Sequence, residues 1–280
     1  MIQKSRLSIK KEIFKAILFC VVFTGLFVIL SFSKSFVADK FERIAHGVIG
    51  TFAAVFTTFI FVKFDNINFA DIGLKLEKQS LVRFLLGVLA GIVLMGILSL
   101  SVITFSNFRI EPNINSNFLN FLFYTIPFIP LAFMEEIAFR AYPLRILKEI
   151  TGVRYAIIIT SILFAIYHVV NGWTIQNSFL GAGVWGIIYG ITAFYSNGIG
   201  MPTGVHYAAN LTTAAFGITQ GPFNIWILTS KDGLSLENYQ SSAFMTIIPQ
   251  ISLFIFGIFL MEWLIKRNTK ANLDIAADVE

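Results

Sequence analysis

Long apolar runs alternate with short polar breaks along the whole chain, and the runs are too long for strands or ordinary core helices. A helix needs about 20 apolar residues to cross the hydrocarbon core of a bilayer. Eight stretches qualify, at about 13–32, 44–62, 81–105, 118–142, 153–171, 179–196, 199–217 and 243–264. The first follows Lys4, Arg6, Lys10 and Lys11 as a signal peptide would. Its apolar stretch is longer than a signal core, and no small-x-small cleavage site follows, so it reads as a transmembrane helix. The seventh, IGMPTGVHYAANLTTAAFG, is the most polar. A helix of that kind cannot face lipid and is expected among the other spans. The pattern predicts an all-α, polytopic membrane helix bundle with about eight transmembrane helices.

Composition agrees. Hydrophobic residues make up 56% of the 280 and charged residues 13%, about half the roughly 25% of a soluble domain. That excludes both a water-facing globule and a disordered chain. One cysteine, Cys20, excludes a disulfide scaffold. The net charge of +5 raises nucleic acid as a partner, but the basic residues cluster at span ends without a stripe or stacking aromatics. Membrane lipid is the partner they suit.

The basic residues also divide by side. With the N-terminus inside, the inner segments hold Lys4, Arg6, Lys10, Lys11, Lys15, Lys63, Lys75, Lys78, Arg83, Arg140, Arg145, Lys148, Arg154, Lys266, Arg267 and Lys270. The outer segments hold only Lys34, Lys40, Arg43, Arg109 and Lys231. This asymmetry predicts a multi-pass cell-membrane protein with both termini cytoplasmic. No linker separates domains, and the longest loops, 63–80 and 218–242, lack cores of their own. Gly87 and Gly91, and Gly186 and Gly190 near Gly183, form small-residue spacings that read as helix packing.

A few polar residues stand where they are expensive. Glu135, Glu136 and Arg140 follow a long apolar run, and three ionised groups inside a span would cost about 10 kcal/mol before pairing. Glu136 and Arg140 are four apart and can pair, whereas Glu135 points about 100° away. His168 ends FAIYH, with Phe164 one turn earlier on its face; His206 and Asn210 share a face of the seventh span. A turn at Thr151-Gly152 would place Glu135 and His168 at one depth, about 24 Å from it, less any kink at Pro143. His46, at the start of the second span, reads as structural. Tyr167 is expected to face elsewhere, and Asn171 to cap its helix.

The converging set suits hydrolysis of an amide by water. A carboxylate beside a histidine can take a proton from water, while a histidine N–H and an asparagine amide can donate to an oxyanion. No serine has a triad spacing, Cys20 has no activating neighbour, and phosphate-loop, dinucleotide and H-E-x-x-H motifs are missing from the sequence.

EEIAFR (135–140), FAIYH (164–168) and HYAAN (206–210) together resemble the E-E-x-x-x-R, F-x-x-x-H and H-x-x-x-N motifs of the CPBP family. These are the type II CAAX prenyl protease and bacteriocin-processing membrane proteins. DIGLK (71–75) and GVWGIIYG (183–190) are weaker shared features. The resemblance implies a catalytic core at 118–217, preceded by three helices in 1–117 and followed by a loop, a last helix and a tail in 218–280. It implies an intramembrane endopeptidase acting on a membrane-anchored peptide or protein. Glu135 would be the general base, Glu136 and Arg140 its support, His168 the group that orients water, and His206 and Asn210 the oxyanion donors. The family has been described both as metal-independent glutamate proteases and as metalloproteases; in the second case Glu135, His168 and His206 would bind zinc and Glu136 act as base. Small, loop-poor relatives serve prokaryotes, some as silent membrane partners in bacteriocin immunity or sensor-kinase regulation, so that role is the alternative. A transporter fits less well, because no inverted repeat is visible.

Overall fold

A computed structural model describes residues 6–75, 77–218, 223–231 and 243–277. Lys4 and the 232–242 part of the last loop lie outside the described residues. Three long helices come first: α1 (Arg6–Ser31), α2 (Glu42–Asp65) and α3 (Lys78–Phe105). The expected fourth span is longer than predicted and broken. It runs as α4 (Phe118–Thr125), α5 (Phe128–Glu136), a π-helical turn at Ile137–Ala141, and α6 (Tyr142–Thr151). Next come α7 (Val153–Val170), α8 (Val184–Ser196) with a π-helical segment, Asn177–Gly183, leading into it, α9 (Gly200–Ala215) and α10 (Ala243–Ala277).

The breaks have local causes. Pro127 and Pro130 cannot donate backbone hydrogen bonds, so α4 ends before them and α5 starts afresh. Pro143, expected as the kink, sits in the first turn of α6, where a missing N–H is harmless. The distortion lies just before it, in the wide π turn, where Ala141 adopts φ −80° and ψ −97°. Gly152 makes the predicted turn into α7 with φ +81°, a conformation that favours glycine.

Among the described residues, seven segments are long and apolar enough to cross a membrane. Among the expected spans, α9 is the exception: it has 16 residues and lies buried among the rest. Its seat is backbone-close to α3. A Cβ on Gly204 would come within 2.1 Å of the Phe84 carbonyl oxygen, and one on Gly87 within 2.2 Å of that of Met201. Only glycine permits that approach.

One end of the bundle is tied by polar contacts. Asp65 accepts hydrogen bonds from Lys15 and the Tyr142 hydroxyl, and Arg145 donates to Asn197 and the Ala193 carbonyl. Arg154 pairs there with Glu262. At the other end, strands Phe108–Pro112 and Trp226–Ser230 pair antiparallel, with Phe108 opposite Ser230. The all-α expectation did not include this ribbon, whose five-residue strands are too short to stand out from loop sequence. Arg140, counted above with the inner-face charges, belongs to neither end. It is fully buried within the bundle.

Candidate active site

The end of α5 and the π turn after it place Glu135, Glu136 and Arg140 in the centre of the bundle. Glu136 and Arg140 are both fully buried. Arg140 Nε stands 3.4 Å from Glu136 Oε2, while its Nη2 donates to the Gly186 carbonyl at 3.2 Å. The guanidinium also lies 4.4 Å from the centre of the Phe164 ring and 5.3 Å from that of Tyr189. The pair at 136 and 140 is therefore real, but the arginine's orientation is set as much by aromatic faces and one carbonyl as by the carboxylate.

His206, on α9, is wedged between the two glutamates. Its Nδ1 is 2.8 Å from Glu136 Oε1, and its Nε2 is 3.5 Å from Glu135 Oε2. With Glu136 ionised beside Arg140, Nδ1 must carry the hydrogen and donate it. The Glu135 contact is longer than a good hydrogen bond, a spacing that a proton shift or a bridging water can exploit. Tyr189 stacks on the imidazole, with ring centres 4.4 Å apart and planes 13° from parallel.

His168 sits in the last turn of α7, against the Phe164 ring edge at 4.5 Å. Its Nδ1 lies 2.9 Å from the Phe164 carbonyl oxygen. A carbonyl only accepts, so the hydrogen is on Nδ1, and in the neutral ring Nε2 keeps its lone pair. Glu135, His168, His206 and Asn210 all line one cavity of about 850 Å³, near the upper range of small-molecule sites. The hairpin count placed Glu135 and His168 at one depth, and both line this cavity.

One expectation changes and two gain a detail. Tyr167 does not face away: it is buried yet borders the same cavity. Asn171 does bond the helix end, its Nδ2 donating to the Tyr167 carbonyl at 2.8 Å, and it also borders the cavity. His46 lines the cavity too, with Nδ1 3.3 Å from Lys34 Nζ. Sequence reasoning overlooked Tyr189 and read Gly186 only as helix packing. A Cβ on Gly186 would come within 3.1 Å of Arg140 Nη2 and 3.2 Å of Ser161 Cα, so its bareness admits the arginine. Both residues lie within GVWGIIYG, which is where the signal was.

Among the described residues no three His, Cys, Asp or Glu side chains are gathered so as to hold a metal.

These features define a class: a multi-pass helical membrane protein with a carboxylate–histidine centre enclosed between its helices. Residues 116–212, which carry that centre, match the family model of type II CAAX prenyl endopeptidase Rce1-like proteins. Over this core the chain is similar to the CPBP/CAAX proteases, which supports that family assignment. No curated protein matches the chain.

Proposed function

We propose that the chain is an active endopeptidase that hydrolyses a peptide bond of a membrane-associated substrate with water activated by Glu135 and His168. The observation that carries this reading is His206 between Glu135 and Glu136, because it gives the two neighbouring carboxylates different work. Glu136 is engaged by Arg140 and by the His206 N–H. Glu135 faces the cavity, and its only described polar contact is the longer one, 3.5 Å, to His206 Nε2.

The mechanism follows from these positions. A water between Glu135 and His168 donates one hydrogen to each acceptor, the Glu135 carboxylate and His168 Nε2. As its oxygen attacks the scissile carbonyl, Glu135 takes the proton. The oxyanion is met by the Asn210 amide and by His206 Nε2–H in the doubly protonated imidazole, whose Nδ1–H stays on Glu136. Glu135 then returns the proton to the leaving nitrogen. Tyr189 and Arg140 hold His206 and Glu136 in register. No step passes through a metal ion.

The test is cleavage of tagged, membrane-anchored candidate peptides by detergent-extracted protein and by Glu135→Gln. Product from the wild type alone supports the reading. Equal product from both variants would mean a contaminating protease and remove it, and no product from any peptide library would favour the silent membrane partner.

A further inference from the structure

Among the described residues, two cavities flank the buried ion pair, and they have no lining residue in common. The first, described above, is bordered by Ser31 in the last turn of α1, His46 near the start of α2, His168 in the last turn of α7 and Thr213 in the last turn of α9. Those are all ends on one side of the bundle. Its rim is open, with Phe32 76% and Trp173 50% exposed, while its floor is closed, with Tyr189 at 3% and Phe164 at 1%. The second cavity, about 520 Å³, is bordered by Gly73, Lys75, Arg83 and Asn197 at the other side. Between them lie Glu136, Phe139 and Arg140, none with any exposure. A chain entering from the second side would have to displace a paired, buried guanidinium.

The charges say which side is which. The end that holds Lys75, Arg83, Arg145, Lys148 and Arg154 is the basic end, and basic loops stay in the cytoplasm. The helix ends around the catalytic cavity carry Lys34, Arg43 and Lys231 instead.

We propose that the catalytic cavity opens to the non-cytoplasmic face, so that the substrate is a peptide segment presented at the outer leaflet, such as the exposed end of an exported or lipid-anchored polypeptide. The substrate class rests on the protease reading; the direction of the opening does not. An outward opening also brings the attacking water from the outside, with no need for a path past Arg140.

Two measurements separate these claims. On a Cys20→Ala background, Ser31→Cys at the rim and Asp71→Cys in the basic loop are treated with a membrane-impermeant maleimide in intact expressing cells. Ser31→Cys is expected to label before lysis and Asp71→Cys only after permeabilisation. Labelling of Asp71→Cys in intact cells, or no labelling of Ser31→Cys in them, overturns the outward opening. An impermeant fluorogenic peptide is then offered to spheroplasts and to sealed inside-out vesicles. Turnover by spheroplasts and its loss in the vesicles supports the substrate class, and the reverse overturns it. If neither preparation cleaves while the labelling pattern holds, the protease reading falls and the outward cavity stands.

Discussion

His206 Nδ1 lies 2.8 Å from Glu136 Oε1, although the two residues are 70 apart in the chain. That contact joins α9 to α5 through the carboxylate that Arg140 also engages, and it leaves Glu135 as the acidic group facing the cavity. The first prediction follows from this division. Glu135→Gln should reduce peptide cleavage by about a hundredfold or more, the usual scale for a lost general base, with thermal stability in detergent nearly unchanged. Wild-type turnover in this variant would refute the assignment.

Glu136→Gln should behave differently. It leaves Arg140 buried without a counter-ion, which costs about 3–5 kcal/mol, and weakens the acceptor for His206. Expression level and melting temperature should fall together with activity. Normal thermal stability would mean that the guanidinium is sustained by Gly186 and the aromatic faces alone.

Gly186→Ala tests whether the glycine serves the site or only the packing. The added carbon presses on Arg140 Nη2 and on the Ser161 backbone, and overpacking of this kind costs about 1–3 kcal/mol. Cleavage should drop more steeply than thermal stability, because the displaced guanidinium carries Glu136 with it. Gly25→Ala, where nothing lies within 4 Å, is the control and should leave both measurements unchanged.

The ring of Tyr189 matters through its face. Tyr189→Phe should retain the stack on His206 and most of the turnover. Tyr189→Leu should lose about 0.5–1.5 kcal/mol of aromatic contact and lower kcat more than it changes KM. Equal loss in both variants would point to the hydroxyl instead.

Metal content is checked directly. Purified protein is expected to hold less than stoichiometric zinc and to keep its activity after chelation. Stoichiometric zinc, with activity lost to chelator and restored by metal, would replace the water-activation scheme with a metal-assisted one.

Much of this was legible along the chain because a bilayer imposes one-dimensional rules. A span needs a run of apolar residues, and an ionisable group inside one is costly enough to stand out. The helix positions, the isolation of Glu135, Glu136 and Arg140, and the polar character of the helix bearing His206 and Asn210 all follow from that. The Glu136–Arg140 pair was readable too, since four residues make one turn. Contacts between helices were not. That His206 reaches Glu136, that Tyr189 stacks on it, and that Gly186 admits Arg140 depend on how α5, α8 and α9 lean together, which no local pattern encodes. The broken fourth span was only half visible: Pro127 and Pro130 signal an interruption, but the π turn at Ile137–Ala141 arises where the helix must seat a buried ion pair against its neighbours. The sequence determined which residues enter the membrane and which of them are too polar to be there without purpose. Tertiary structure decided which carboxylate is engaged and which is left to face the cavity, because hydrogen bonds and ring contacts act only over a few ångströms, and only the packed bundle brings distant residues within that range.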